Sequence, residues 1–440
     1  MRKIIFNITC LLLVASMGMA QEDVYPTGPN KGLFFITNAT IHVGNGQVIN
    51  NGTIKVNNGK IEQVGTNIAM ALDNVKVYDA KGKQVYPGLI LPYTDLGLKE
   101  IANGVRGSND YTEIGEFNPS IRSIVAYNTD SKVINTLKTN GILLAGVAPQ
   151  GGVISGSSSV VQLDAWNWED AAYSMDGGIH LNMPSFIVRV GRRGGFPGLP
   201  GAQQPPPDPS KEALNKVEEI KSFFSEAKAY LGEATHKETN LKYEAAKGLF
   251  EKKQKLFVHA DQVKQMLVAI DFAQEFGFTV VIVGGSECWQ IADLLKQNNI
   301  AVILGQEHSL PATEDDDVDQ PYKTPAMLQK AGVLFALNDD HDESRYRNLA
   351  FNAGTAATYG LSKEEALQAI TLNAAKILGV DDKTGSIEAG KDANIVISEG
   401  DILDMKSSII TDAFIQGRKV DLNNKQKQLY ERYKYKYGLK

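Results

Sequence analysis

Cysteine is almost missing from this chain: its 440 residues include two, Cys10 and Cys288. Cys10 lies in an apolar run near the first residue, so once that run is removed no intrachain disulfide can form, and the fold rests on packing alone. An excess of charge of one sign is missing too. Lys and Arg number 45 against 51 Asp and Glu, a formal charge of −6, which leaves no basic footprint for nucleic acid or an anionic membrane. Beyond residues 4–15 there is no long hydrophobic run, and this excludes a polytopic membrane protein. HExxH, CxxC, GxSxG and Walker A motifs are all absent, so the chemistries they mark have no support here. What remains, 43% hydrophobic and 22% charged residues, is a globular composition with ample material for a core.

The apolar run reads as part of a leader. Arg2 and Lys3 precede it, and Gly18-Met19-Ala20 follows with small residues, predicting a signal peptide over residues 1–20 with cleavage before Gln21. The run falls short of the roughly 18–20 apolar residues of a membrane span and is broken by Asn7 and Thr9, so no transmembrane anchor is expected. The expected destination is the periplasm or the exterior. Loss of Arg2 and Lys3 makes the remaining chain more acidic.

Residues 21–86 alternate short β-branched stretches with Asn-Gly and Gly-Lys punctuation, predicting a small all-β piece. From Pro87 onward strands and helices alternate: 256–260, 279–283, 300–304 and 333–337 read as strands, and 262–276 as a helix with Val263, Met266, Leu267 and Ile270 on one face. Ser362 and Glu365 form a capping-box pattern. This grammar over residues 87–380 predicts an α/β fold of the (β/α)8 TIM-like barrel type. β character returns over 381–420, so the two β segments are expected to join in one composite β-sandwich, followed by a helical tail at 421–440. Within the tail, Tyr430, Tyr433 and Tyr437 share a face expected to dock on the protein's own domain rather than on a partner. Residues 191–210, rich in Gly and Pro, read as a mobile loop that ends in the helix-starting pair Asp208-Pro209. The acidic run 314–319 reads as a solvated surface loop rather than a calcium or magnesium site.

In a barrel of this kind the reacting groups lie at the C-terminal ends of the strands. Those ends carry Tyr93-Thr94-Asp95, His259 with Asp261, Gly284-Gly285-Ser286-Glu287, Gly305-Gln306-Glu307-His308 and Asn338-Asp339-Asp340-His341. Asp95, His259 and Asp340 could supply the three protein ligands of a catalytic zinc, although a lone strand histidine is more often a hydrogen-bonded core residue than a ligand. Adjacent Asp339 and Asp340 repel unless a cation, a partner or a proton relieves them. Tyr93, Glu287 and His341 are the candidate substrate-binding residues. Gly151-Gly152 with Gly156 reads as a turn between strands rather than a phosphate cradle, and Cys288 as structural.

Two separated stretches carry a family likeness. Lys83-Gln84-Val85-Tyr86-Pro87-Gly88-Leu89-Ile90, and the closing run from Ala366 to Ala375 with Gly385-Ser386-Ile387 and Gly390-Lys391-Asp392-Ala393-Asn394, resemble the entry into strand 1 and the last helix and returning strands of the amidohydrolase superfamily. The likeness is to its imidazolonepropionase-like branch. The resemblance implies hydrolysis of carbon–nitrogen bonds other than peptide bonds, in a cyclic amide or related small molecule, with Zn2+ or another divalent metal if the protein is active and with none if it is not. It matches His259 to the strand 5 histidine ligand and Asp340, with Asp339 as the alternative, to the general base. Tyr93-Thr94-Asp95 stands where the family has His-x-His, and Gly284 where it has the strand 6 histidine. Two expectations follow. One is a hydrolase in which Asp95 and His259 hold a metal and Asp340 activates water; the other is a pseudo-enzyme that binds a small molecule or partner without turnover. Oligomeric state is open.

Overall fold

The computed structural model describes residues 25–70, 75–100, 109–187, 208–339 and 344–439. The expected leader and all but the end of the expected loop 191–210 lie outside the described residues. Alternating apolar residues build the first strands: β1 (Leu33–His42), β2 (Val48–Asn57), β3 (Lys60–Gly65), β4 (Lys76–Asp79) and β5 (Gln84–Pro87). Between β2 and β3 the chain reverses at Asn58 and Gly59, whose φ values of 49° and 82° are those of a tight Asn-Gly hairpin.

The next eight strands form a second sheet in sequence order: β6 (Leu89–Thr94), β7 (Ile142–Val147), β8 (Ile154–Gln162), β9 (Ala172–Asn182), β10 (Lys255–Ala260), β11 (Val280–Gly284), β12 (Ala301–Leu304) and β13 (Phe335–Leu337). Their mostly apolar stretches are buried on both sides, as a sheet covered by helices requires. The first and last strands approach each other at the top, where the Tyr93 amide donates to the Asn338 side-chain oxygen at 3.3 Å. The sheet is a nearly closed TIM-like barrel, with one departure from strict alternation. Strand β8 pairs antiparallel with both β7 and β9, while the other paired neighbours are parallel. The cause is connection length. Residues 148–153, with Gly151 and Gly152 at positive φ, can reverse the chain but are too few for the crossover of about a dozen residues that a parallel neighbour needs.

Strands β14 (Ile395–Ser398), β15 (Ile410–Ile415) and β16 (Arg418–Lys419) return to the first sheet, where β14 pairs with β5. That sheet runs β16-β15-β14-β5-β1-β2-β3, with β4 beside β1. It encloses a core of its own, with Phe34, Ile36, Ile54, Val56, Ile395 and Phe414. The helix Pro209–Leu231 starts as its sequence implies, Asp208 accepting from the Ser210 amide, and the Ser362/Glu365 capping box is formed. The tail helix Lys425–Tyr437 lies against the helix Lys132–Lys138 of its own domain, with the Thr136 hydroxyl donating to Gln426 Oε1 at 3.4 Å, although none of its residues is buried. Asn424 pins its start to Thr139 at 2.8 Å, and the tyrosines face outward because the ring of charges around them leaves no apolar stripe to dock.

His42, at the end of β1, ties this sheet to the barrel. Its Nδ1 lies 2.6 Å from Glu364 Oε1 and its Nε2 lies 2.9 Å from Gln84 Oε1, with the Tyr86 ring stacked at 4.5 Å. Two oxygen acceptors call for two N–H donors, the imidazolium form. Burial alone would lower the His42 pKa, but the bonds to Glu364 and Gln84 together outweigh it and hold it above its ordinary value. A raised folded-state pKa gives stability that is complete below the unfolded value near 6.5 and fades as pH rises through the folded value. Urea unfolding at pH 6 and pH 9 is expected to show wild-type protein losing an increment of stability on going to pH 9 that His42→Phe does not lose.

Candidate active site

At the C-terminal ends of β9 to β12 the barrel opens into a cavity of 710 Å³, in the range of small-molecule sites. Asn182, His259, Asp261, Gln306 and Glu307 contribute its polar wall; Met183, Val283, Leu304 and Leu310 contribute the apolar one. Gln320 and Thr324, from the helix Gln320–Ala331, close one side.

His259 is half-buried at this wall. Its Nε2 lies 2.9 Å from Nδ1 of His180, one strand over on β9, which leaves His259 Nδ1 as the ring nitrogen available to a molecule in the cavity. Tyr93 packs on both rings, at 4.8 Å from His259 and 5.5 Å from His180, and Phe257 stacks on His180 at 4.9 Å. This aromatic cage desolvates both imidazoles. Burial pushes His259 down to about 4, and burial together with the neighbouring His259 puts His180 well below its ordinary value. Both rings are therefore neutral near pH 7.

Glu307, past the end of β12, is 2% exposed and, among the described residues, neither carboxyl oxygen has a hydrogen-bond partner. Burial pushes its pKa well up. Asp339, buried at the end of β13, accepts from Asn352 at 3.2 Å.

The structure brings Tyr93 and His259 together. Asp95 is engaged by neighbours of its own: its Oδ1 accepts from the Tyr346 hydroxyl at 2.5 Å and its Oδ2 from Lys99 at 2.9 Å. Glu287 is not in the cavity wall; its Oε2 accepts from the Val263 amide at 2.8 Å and anchors the helix Val263–Phe276. Asp340 and His341 lie outside the described residues. Cys288 is buried without a disulfide, and burial raises its thiol pKa. His180 carried no signal in sequence, because an imidazole inside a buried strand has the pattern of a core residue. Glu307 stood among the strand-end residues, but nothing in sequence marked its carboxyl as unpaired.

The architecture has relatives. Residues 211–423 match the amidohydrolase family. The solved structure of an amidohydrolase from Thermotoga maritima superposes with a TM-score of 0.74 at 26% identity, covering 88% of this chain and 99% of that one. The chain belongs to the amidohydrolase family. Within it, the chain is imidazolonepropionase-like: it is 31% identical to the imidazolonepropionase of Picrophilus torridus over 176 residues, 38% of this chain and 42% of the relative. It is 40% identical to that of Thermoplasma volcanium over 86 residues, 19% and 21% of the two chains. The chain spans less than half the length of the curated relatives it matches. An adenosine deaminase from Xanthomonas campestris with bound zinc shares the fold alone, at a TM-score of 0.53 and 13% identity over 93% of this chain and 99% of that one.

Amidohydrolase-family members are generally metal-dependent, and the described residues do not fit a resident metal. No group of three or more His, Cys, Asp or Glu side chains among them is gathered to hold an ion. Asp95 is already neutralised by Lys99. At Gly284 the backbone has a φ of 98°, and an added Cβ would lie 2.7 Å from Asp261 Oδ1, so a histidine ligand at that place would be strained by its backbone before it reached anything.

Proposed function

We propose that this chain hydrolyses a carbon–nitrogen bond, other than a peptide bond, in a small molecule bound in the cavity, with cyclic amides as the substrate class. The carrying observation is the His259–His180 pair at the wall of a cavity of substrate size. Membership of a hydrolase family and similarity to imidazolonepropionases support the reading; nothing among the relatives supports the pseudo-enzyme alternative.

The chain's own groups can move the proton such a reaction needs. For His259 Nδ1 to accept a proton from water, its Nε2–H donates to His180 Nδ1, and this bond stabilises the imidazolium that forms. The hydroxide adds to the amide carbon, the C–N bond breaks, and the proton passes from His259 to the departing nitrogen. One water is consumed, and a carboxyl and an amine result. His180 acts through His259 as a positioning residue. Export of the chain by residues 1–20 is part of the proposal, and places the substrate outside the cytoplasm.

The test is a panel of lactams, imides and hydantoins incubated with purified protein, with and without added Zn2+, and followed by mass spectrometry for gain of one water. Ring opening of at least one compound, in proportion to enzyme, is expected. Binding of panel members without any ring opening would return the function to that of a binding protein.

A further inference from the structure

Glu307 is not explained by the fold. It forms part of the wall of the His259 cavity, yet neither carboxyl oxygen meets solvent or, among the described residues, a donor. Native proteins retain few such orphaned groups, because the lost hydration is not replaced. Among the described residues, no charged neighbour offsets the effect of burial on it. A methionine or leucine would fill the same space at lower cost.

A carboxyl in these surroundings is neutral, and a neutral carboxyl carries an O–H donor and a C=O acceptor side by side. The complement of that edge is an amide whose N–H and C=O lie on the same side. Ring closure enforces that arrangement in a lactam or imide. An acyclic secondary amide is trans, with the two groups pointing in opposite directions, and it can satisfy only one half of the carboxyl. We infer that Glu307 is a specificity-determining residue of this cavity, forming a paired hydrogen-bond contact with the cis N–H/C=O edge of a cyclic amide. Because its oxygens are shielded, the side chain turns toward the bound ring. The exchange then leaves no donor or acceptor unsatisfied on either partner. Leu304 and Leu310 in the same wall suit the apolar remainder of the ring and exclude water from the pair. The inference rests on the hydrolase reading for the ligand being an amide, but its test needs no turnover.

Calorimetric or ligand-detected NMR titration of the full chain decides it, with three probes: 5-phenyl-2-pyrrolidone, its N-methyl counterpart, and acyclic N-methyl-3-phenylpropanamide. Wild-type protein is expected to bind the N–H lactam about ten- to a hundredfold more tightly than the other two. Glu307→Gln, whose amide also presents a donor beside an acceptor, should stay within about threefold of wild type, while Glu307→Met should lose the preference and bind all three alike. Thermal unfolding of each variant checks that it is folded, and the three-probe comparison on wild-type protein stands without any variant. Failure of the N–H lactam to bind at millimolar concentration overturns the inference, as does equal binding of the three probes by wild type. Loss of binding in Glu307→Gln as complete as in Glu307→Met also overturns it, since a paired donor and acceptor would then not be what the contact needs. Glu307-dependent binding without hydrolysis would count against the hydrolase reading alone. Hydrolysis with Glu307-independent binding would count against this inference alone.

Discussion

His259→Ala is expected to lower kcat about 10²–10⁴-fold on any cyclic amide that the wild-type protein opens, the range for removal of a general base. KM should move far less, because the imidazole acts on water rather than on the bound ring. The variant should fold normally: His259 is half-buried, and its removal opens space at the edge of an existing cavity rather than within the packed barrel. His180→Phe keeps the ring that stacks on Phe257 and Tyr93 but removes the Nδ1 partner of His259. It should lower kcat in the same direction by a smaller factor, since the base remains and only its orientation and charge stabilisation are lost. Steady-state kinetics on both variants provide the check. Unchanged kcat in His259→Ala would remove His259 from the reaction.

Asp164→Ala is expected to have the largest effect on stability. Asp164 is buried, with Lys138 3.1 Å from its Oδ1 and Arg418 3.8 Å from its Oδ2, and both cations are themselves buried. The Thr27 amide also donates to Oδ2 at 3.0 Å, so the carboxylate joins the beginning of the described chain, the end of β8 and strand β16. Removing it leaves two buried positive charges uncompensated, a loss of about 3–5 kcal/mol. Arg418 would retain its bonds to the Thr27 and Asp164 carbonyls and to Gln162, but none of these carries a full negative charge. The midpoint of urea unfolding, compared with that of Lys138→Met, measures the effect. A shift worth less than about 1 kcal/mol, the range of exposed ion pairs, would mean that water reaches this cluster.

Much of the architecture was legible in the residues. The strands over 256–260 and 279–283, the helix following His259, the helix start at Asp208-Pro209 and the capping box at Ser362 depend on periodicity and on side chains bonding within a few residues. The joining of the two β segments was legible too, because β character returned once the strand–helix alternation ended. The reversed direction of β8 was not: its apolar and small residues are buried in either direction, and the outcome turned on how few residues link it to β7 and β9. The tail's contact with its own domain was legible, but its tyrosines stay exposed, since periodicity reveals a shared face but not whether another surface meets it.

The site divided in the same way. Strand-end position placed Tyr93 and His259 at the barrel mouth, and the likeness to the amidohydrolases was written in local segments that enter and leave the barrel. Everything that distinguishes this site came from partners distant in the chain. Asp95 is engaged by Tyr346, 251 residues away, and His259 by His180, 79 residues away. Glu307 is set apart by having no hydrogen-bond partner among the described residues. Periodicity and short-range hydrogen bonding are properties of neighbouring residues, so the order of letters determined the elements and the fold class. Protonation, pairing and burial depend on which groups the closed barrel brings within a few ångströms of one another, and only the tertiary structure decided those.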